Sequence, residues 1–325
     1  MTAAARPVLV VAEQLDAAAD MVVDQLNQRE VPVIRFDAAG FPTTISLTAT
    51  HQPDAGGWSG VLDDGRRAAR LDDVRAVYWR RPARPRIDDR VPEPYYTWAA
   101  DQADAALLNL LATLPVRWLN NPHLDRIASH KPQQLVAAAR CGLTVPRSII
   151  TNDPAAARAF AKHADAPVIC KPVLGGRLDT GQGRPLMVAT HPVGPDCIDD
   201  TVATTAHYFQ ERIPKAFEVR LIAVGGRLFA ATLHAHSEQA ATDWRTDTTH
   251  LTYGTTTVPD QVAAGVHRFL ASYRLAFAAF DFAVTPAGEW VFFENNPAGT
   301  WAWVESHTGL PIAAAHADYL QGATA

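Results

Sequence analysis

The first forty residues restrict the possible fold more than any other part of the sequence. The apolar run at residues 7–12 predicts a short buried strand, and Val31 to Phe36 predict a second one. Between them, residues 16–29 place small and apolar side chains at helical spacing, which predicts a helix with one buried face. A strand–helix–strand order is typical of a parallel sheet with helices packed on it. We therefore predict an α/β fold with α+β lobes.

The chain is long enough for two or three lobes, because its 325 residues exceed the usual size of one small domain. A predicted helix at 95–113 and a strand at 116–119 are followed by the break Asn120-Asn121-Pro122, where we place the first boundary. This gives an N-terminal α/β domain at 1–120. A small lobe follows at 121–208, and a C-terminal lobe at 209–325.

Local signals predict further elements beyond this boundary. Gly142 suits the left-handed position after a helix at about 132–141, and Asp153 with Pro154 suits the start of another. A strand is predicted at 167–172, and a loop at 174–183 carries Gly175, Gly176, Gly181 and Gly183. From residue 207 the pattern predicts strands and hairpins with one helix at about 259–273.

Composition excludes several classes of function. The formal charge of −5 gives no basic face for nucleic acid, and no apolar run is long enough to cross a membrane. The three cysteines are widely spaced without a CxxC pair, so neither a disulfide framework nor a zinc site is indicated. We expect a cytoplasmic protein that binds neither nucleic acid nor membrane.

The segment 280–296 predicts a hairpin that carries candidate functional residues. A four-residue turn at Pro286-Ala-Gly-Glu289 makes Thr285 face Trp290, and counting back from this pair puts Asp281 opposite Glu294. Alternation puts Glu294 and Asn296 on one face, with Phe293 and Asn295 on the other. Facing carboxylates repel unless a cation lies between them, and oxygen ligands suit Mg²⁺. The alternative is a solvated acidic pair on an exposed face.

A second predicted hairpin, residues 218–232, turns at Gly225-Gly226. Glu218 and Arg220 share one of its faces. They form either a simple ion pair or a functional pair, in which Glu218 binds ribose hydroxyls and Arg220 binds phosphate charge.

Two lysines are further candidates for binding phosphate. Lys171 is flanked by apolar residues in a predicted strand, where an unpaired ammonium is costly, and Lys131 begins a predicted helix. The glycine-containing loop could cover phosphates with its backbone N–H groups. The alternatives are a solvated lysine at 131 and a flexible linker at 174–183.

The order of these pieces along the chain resembles the ATP-grasp superfamily over about residues 120–310, and the N-terminal βαβ lobe fits the domain that precedes this fold. The resemblance implies ATP and Mg²⁺ as cofactors. It implies Arg220 and Lys171 as catalytic residues, Arg220 stabilising the transferring phosphoryl group and the tetrahedral intermediate. The implied nucleotide ligands are Lys131 and Lys171 for phosphates, Gln210, Glu211 and Ile213 for adenine, largely through backbone atoms, and Glu218 for ribose, together with Arg220. The implied Mg²⁺ ligands are Asp281, Glu294 and Asn296.

Several segments are similar to the ATP-grasp maturases of ribosomal peptides, the graspetide or microviridin-ligase type, and especially to an actinobacterial group. Among these segments are Tyr78-Trp-Arg-Arg-Pro82, Lys131-Pro-Gln-Gln-Leu135, residues 209–220, Glu294-Asn-Asn-Pro-Ala-Gly-Thr-Trp301 and Thr308-Gly-Leu-Pro-Ile312. The family pattern reads Glu-Val-Asn-Pro-Asn-Gly-Gln-Trp, from which this chain departs at Asn295, Ala298 and Thr300.

The finer resemblance implies a macrocyclase that activates Asp or Glu side chains of a precursor peptide as acyl phosphates. Ser, Thr or Lys side chains of the same peptide then close ester or amide rings. The implied partners are that peptide, as leader plus core, and a second copy of the chain in a homodimer. We expect Arg80 and Arg81 to bind acidic side chains of the core, or to form a surface pair stacked on aromatics. Asp243 and Arg245 are predicted to recognise the leader.

Two other functions stay open from the sequence. One is an ATP-grasp ligase that joins separate amino acids or peptides, since the nucleotide machinery does not separate the two. The other is a nucleotide-binding regulator without turnover, against which the complete Asp, Glu and Asn set argues.

Overall fold

The N-terminal domain confirms the predicted βαβ opening. The computed structural model describes residues 6–178 and 186–322 of the chain. Strands of the first sheet run in the order β2-β1-β6-β7 and pair in parallel, with Val8 beside Val33 on one side and Ala76 on the other. The elements are β1 (Val8–Ala12), α1 (Ala17–Gln28), β2 (Val33–Phe36), β3 (Ser46–Gln52), β4 (Gly57–Asp63), β5 (Ala68–Arg70), β6 (Ala76–Arg80), α2 (Tyr95–Ala112) and β7 (Arg117–Leu119).

Strands β3 to β5 form a separate antiparallel sheet that covers one face of the parallel sheet. Their apolar residues Leu62 and Ala69 share a buried core with Leu9 of β1 and Leu107 of α2. This burial of both faces explains why the first strand is entirely apolar, since every residue of β1 is buried.

The small lobe is built around an antiparallel sheet of order β12-β9-β13-β8. The predicted cap is confirmed, because the Asp153 side chain accepts a hydrogen bond from the Ala155 N–H and Pro154 begins the helix. Two predicted glycines of the loop, Gly181 and Gly183, lie outside the described residues. The elements are α3 (Pro122–Ala128), α4 (Lys131–Arg140), β8 (Ser148–Thr151), α5 (Pro154–Lys162), β9 (Val168–Lys171), β10 (Arg177–Leu178), β11 (Leu186–Met187), β12 (His191–Val193) and β13 (His207–Glu211).

The C-terminal lobe is a five-stranded antiparallel sheet of order β16-β15-β14-β17-β18. Its elements are β14 (Phe217–Val224), β15 (Arg227–Ala235), α6 (Glu238–Thr242), β16 (Leu251–Thr255), α7 (Asp260–Tyr273), β17 (Phe277–Val284), β18 (Trp290–Asn296), α8 (Ala302–Thr308) and α9 (Ile312–Gln321). The prediction of a single helix after residue 207 is wrong. Helix α9 buries residues around most of its circumference, including Ile312, Ala315 and Leu320, which removes the one-sided pattern that identifies a surface helix.

The packing of the lobes differs from the sequence-based division. Strand β13 ends at Glu211, so a boundary at 208 falls within a strand of the small-lobe sheet. Helices α3 and α4 pack through Ala128 and Ala138 on the C-terminal core around Phe269 and Phe280. The small lobe has its own core around Phe160 and Phe209.

The N-terminal domain and the C-terminal lobe share one hydrophobic core. It contains Val10 and Leu26 from the first and Ile222, Trp301 and Leu320 from the second. Asn120 joins them further, because its amide nitrogen donates to the carbonyl oxygens of residues 277 and 297, at 2.8 and 3.1 Å. Its amide oxygen accepts from the N–H groups of residues 276 and 277, at 2.8 and 2.9 Å. Among the described residues, no helix has the length and apolar character needed to cross a membrane.

Candidate active site

Asp281 and Glu294 face each other across the β17–β18 hairpin, as predicted. The route to that pairing differs, since Val284 and not Thr285 pairs with Trp290, which makes the hairpin loop one residue longer. A bulge beyond Phe282 then adds one residue to β18 and restores the predicted pairing. The bulge also turns Phe293 into the site, where its ring centroid lies 6.0 Å from Lys171 Nζ. The predicted alternation, which placed Phe293 on the opposite face, is wrong at this residue.

The negative charge of Asp281 is balanced by Arg220 on the neighbouring strand. Arg220 Nη1 donates to both carboxylate oxygens of Asp281, at 2.8 and 3.0 Å, and Arg220 Nη2 donates to the Thr300 carbonyl at 3.0 Å. Both side chains are almost completely buried. Burial raises the pKa of Asp281, the adjacent Glu294 charge adds to that, and Arg220 opposes it. The arginine is thus fixed in two directions beside the facing carboxylates.

Glu294 lies among cations contributed by other elements. Its oxygens are 3.5 Å from Lys131 Nζ and 3.4 Å from Arg245 Nη1. Burial alone would raise its pKa, but the positive charges of Lys131, Arg245 and Lys171 outweigh burial and lower the pKa to about 2. Glu294 is therefore ionised at neutral pH.

Asn296 completes a cluster of side chains that fits Mg²⁺. Its amide nitrogen donates to Asp281 Oδ2 and to Glu294 Oε1, at 3.2 Å each. Two carboxylates and an amide supply the hard oxygen donors that Mg²⁺ prefers when phosphates and water complete its shell. No three His, Cys, Asp or Glu side chains in residues 6–178 and 186–322 cluster in a way that could hold a metal, so a cation at this site would depend on the Asn296 amide as its third ligand.

The two lysines predicted to bind phosphate converge on this cluster from the small-lobe side. Lys131 Nζ donates to the Pro172 carbonyl at 3.1 Å, and Lys171 Nζ donates to Gln210 Oε1 at 2.8 Å. Lys171 also lies 4.9 Å from the centroid of the Tyr208 ring. Burial lowers the pKa of Lys171 to about 8, although the Glu294 charge opposes the shift.

Residues 210 and 211 of the predicted adenine hinge hydrogen-bond mainly to other groups of the protein. The Gln210 amide nitrogen donates to Ser148 Oγ and to the Tyr208 hydroxyl, both at 2.9 Å. The Glu211 N–H donates to the Arg147 carbonyl at 3.0 Å, and the Glu211 carboxylate lies 3.3 Å from the Arg147 guanidinium. Gln210 lines the cavity described below, whereas Glu211 and Ile213 are not part of the described lining.

Glu218 shares its face of β14 with Arg220, as predicted, and is paired with a residue that the sequence analysis missed. Lys215 Nζ forms an ion pair with Glu218 Oε1, with Lys215 half-buried and Glu218 buried. Burial raises the pKa of Glu218 and the Lys215 charge opposes the shift. The available signal was the position of Lys215, three residues before Glu218 in the turn that enters β14.

Asp243 and Arg245 belong to the same site. Asp243 is buried and accepts from Arg245 Nε at 2.8 Å, and Arg245 reaches Glu294. The structure therefore places this pair beside the predicted metal ligands, with Asp243 buried and the Arg245 side chain 47% exposed, and its role in recognising the leader stays a prediction.

Two cavities meet at the charged cluster. The first, of about 420 Å³, is lined by both lysines, Lys215, Glu218 and Asp243. The second, of about 320 Å³, is lined by Arg81, Arg220, Asn296 and residues 297–300. The residues lining both cavities are Trp244, Arg245, Asp281 and Glu294. A group in the first cavity and a group in the second would therefore both lie beside the facing carboxylates.

The adjacent arginines 80 and 81 have different environments. Arg80 is 6% exposed, donates to the Ala298 carbonyl at 3.1 Å and lies 3.6 Å from Asp16. Arg81 is exposed, lines the second cavity and has a left-handed backbone with φ of 44°. Such a conformation costs about 1–3 kcal/mol for a residue with a side chain, and structures retain it mainly at functional positions. Of these two arginines, only Arg81 is therefore available to a ligand in that cavity.

The fold and site define the class of the protein as an ATP-grasp fold preceded by a pre-ATP-grasp domain. A family model described as the MvdD pre-ATP grasp domain matches residues 7–126. No curated protein sequence matches the chain significantly.

Solved structures match nearly the whole chain. A RiPP-associated ATP-grasp ligase from Chryseobacterium gregarium, in complex with ADP and a leader and core peptide, is 26% identical with a TM-score of 0.89. The match covers 97% of this chain and 96% of that one. The macrocyclase MdnB from Microcystis aeruginosa is 27% identical with a TM-score of 0.79, over 97% and 99% of the chains. The macrocyclase MdnC from the same organism, bound with its precursor peptide MdnA, shares the fold at 24% identity and a TM-score of 0.84, over 97% and 99%. These matches support a graspetide-type ATP-grasp ligase, to which the chain is similar over nearly its whole length.

Proposed function

We propose that the protein is an ATP- and Mg²⁺-dependent carboxylate ligase that closes rings in a ribosomally made precursor peptide. The observation that carries the proposal is the meeting of two cavities at Asp281 and Glu294, one rich in lysines and the other bordered by an exposed arginine. A ligase of this kind has to hold a triphosphate and a peptide carboxylate with their reacting atoms in contact.

The first cavity suits the nucleotide. Lys131 and Lys171 would exchange their present partners for phosphate oxygens, and the Lys215–Glu218 pair would receive the ribose. Asp281, Glu294 and Asn296 would hold Mg²⁺, which neutralises phosphate charge and makes the γ-phosphorus easier to attack. The ligase PsnB, which shares the fold at 20% identity, binds Mg and ADP in its own structure.

The second cavity suits the acidic side chain of the peptide. Arg81 would bind the incoming carboxylate, and Arg220, which lines the same cavity, donates to Asp281, a residue that lines both cavities. Relatives in the comparison bind precursor peptides, which supports a peptide as substrate here. Ester or amide as the bond formed, and a homodimer as the assembly, stay predictions from the resemblance.

The reaction that this arrangement supports has two steps. A carboxylate oxygen of the peptide bonds to the γ-phosphorus while the bond to the bridging oxygen breaks, so that ADP leaves and an acyl phosphate forms. A hydroxyl or amine of the same peptide then bonds to the acyl carbon, phosphate leaves, and the displaced proton leaves with it. The chain's contribution is charge and position, because no protein nucleophile is needed.

The test is the intact mass of a candidate precursor peptide, encoded beside this protein, after incubation with ATP and Mg²⁺. We expect the loss of one water per ring together with release of ADP, and no loss with Asp281→Ala or Glu294→Ala. Asp89→Ala, an exposed acid in a loop, is the control variant and should retain activity. An unchanged peptide mass, with ADP released only when free amino acids are supplied, would instead favour the ligase of separate substrates.

A further inference from the structure

The strand that carries two of the predicted metal ligands lies at the edge of its sheet. Strand β18 pairs with β17 on one side and with no full strand on the other in the described sheet. Near its start, the Phe292 N–H donates to the Thr144 carbonyl at 2.8 Å. Beyond the bulge, where Glu294 and Asn296 lie, another group has to hold this outer edge.

The side chain of Gln134 holds it. Gln134 Oε1 accepts from the Asn295 N–H at 2.9 Å, and Gln134 Nε2 donates to the Asn295 carbonyl at 2.7 Å. The same nitrogen donates to the Ala128 carbonyl at 2.7 Å, so that both the amide nitrogen and the amide oxygen of the side chain are hydrogen-bonded. Gln134 is 2% exposed. It thus replaces a neighbouring strand for one residue of β18.

The residue held in this way lies between the two metal ligands of the strand. Fixing both backbone groups of Asn295 fixes the directions in which Glu294 and Asn296 leave the chain, because adjacent residues share those peptide planes. The Asn295 side chain is buried, and neither its amide nitrogen nor its oxygen has a hydrogen-bond partner among the described residues. The hydrogen bonds that hold Asn295 in place are therefore those between its backbone and the Gln134 side chain.

The same helix also acts on the Glu294 side chain. Lys131 precedes Gln134 by three residues, which puts both on one face of α4, and its ammonium lies 3.5 Å from the Glu294 carboxylate. Helix α4 therefore sets the position of the strand through Gln134 and balances its charge through Lys131.

We propose that Gln134 is a positioning residue that holds the metal-binding segment of β18 in the geometry that binds the divalent cation. This inference rests on the Mg²⁺ site of the proposed function. Removing a group that orients metal ligands typically weakens metal binding by about 10- to 100-fold.

The test measures Mn²⁺ binding to the protein–ADP complex by electron paramagnetic resonance, since oxygen ligands that suit Mg²⁺ also bind Mn²⁺. We expect Gln134→Met to raise the Mn²⁺ Kd by about 10- to 100-fold, with little change in the Kd for ADP measured without metal. Gln133→Met, the same substitution at the exposed neighbour on α4, should leave both values unchanged.

Each outcome separates the two proposals. A wild-type protein that binds ADP without binding Mn²⁺ would remove the proposed metal site and the function built on it. Wild-type Mn²⁺ affinity in a folded Gln134→Met variant would overturn the role of Gln134 alone. If Gln134→Met does not fold, Gln134→Glu provides the same test. It retains the shape and the acceptor for the Asn295 N–H, but it turns a carboxylate towards two carbonyl oxygens. The Mn²⁺ Kd should then rise at least about tenfold, and an unchanged value would again overturn the inference.

Discussion

Gly299→Ala should disable the site with a single added methyl group. A Cβ at Gly299 would lie 2.6 Å from the Ala279 Cβ, 2.8 Å from Arg220 Nη2 and 3.0 Å from the Asn296 Cβ. Ala279 belongs to a fully buried strand and cannot retreat, so the backbone at residue 299 has to move away from it and Arg220, which lies on another side of the new methyl group, has to shift as well. That shift disturbs the hydrogen bonds of 2.8 and 3.0 Å by which Arg220 is held to Asp281 and Thr300.

Two magnitudes follow from this geometry. Overpacking by a methyl group lowers the free energy of unfolding by about 1–3 kcal/mol. Displacing a group that stabilises transition-state charge lowers kcat by about 10²- to 10³-fold. The KM for ATP should change little, because Gly299 lines the second cavity and not the first.

The assay follows ADP release and peptide mass with Gly299→Ala. Gly194→Ala is the matched control, because a Cβ at Gly194 meets no atom within 4 Å and should change neither stability nor kcat. A folded Gly299→Ala enzyme with wild-type kcat would refute the reasoning, since it would mean that the position of Arg220 does not limit the reaction.

Three further outcomes are expected. Because burial lowers the pKa of Lys171 to about 8, its charge is lost as pH rises, so the Kd for ATP measured by calorimetry should increase about tenfold by pH 9. Lys171→Met should bind ATP weakly at every pH, and a pH dependence surviving in it would exclude Lys171 as the cause. Burial lowers the pKa of His316 to about 3, so the unfolded chain binds its proton first on acidification. Below pH 6 this residue should lower the unfolding free energy by about 1.4 kcal/mol for each unit by which the pH falls. The measurement is the difference in urea denaturation between wild type and His316→Phe, and a difference that does not vary with pH would contradict the prediction. Arg81→Gly should raise the KM for peptide while the unfolding free energy changes by less than about 1 kcal/mol, because glycine adopts the left-handed backbone freely. Arg80→Ala should instead lower the melting temperature, and equal behaviour of the two variants would contradict their different environments.

The parts of the fold that the sequence could predict are those with strong local signals. The βαβ opening, the Asp153 cap and the Gly225-Gly226 turn follow from periodicity and from residues with few permitted conformations. The facing of Asp281 and Glu294 was predicted correctly through two errors that cancel, a longer turn and a bulge. Bulges depend on strand packing and leave no reliable mark in a single sequence.

The missed features depend on contacts between distant segments. Helix α9 is buried between two domains, so that its sequence shows no polar face. The difference between Arg80 and Arg81 arises because the first meets Asp16 and the Ala298 carbonyl, which lie far away along the chain. The position of Asp243 and Arg245 in the site similarly depends on where the loop after β15 folds back, which no local pattern specifies.

The hydrophobic core shared by the N-terminal domain and the C-terminal lobe has a consequence for the order of events during turnover. These two parts cannot separate without exposing Leu26, Ile222 and Trp301 to water, so they move as a single rigid body. The small lobe has a core of its own, so a movement of that lobe would leave the shared core covered. The described lining of the second cavity comes from the rigid body, whereas the first cavity takes Ile169, Lys171 and Gln210 from the small lobe. Under the proposed function, we therefore expect the peptide side of the site to keep its shape while the nucleotide side changes with the position of the small lobe.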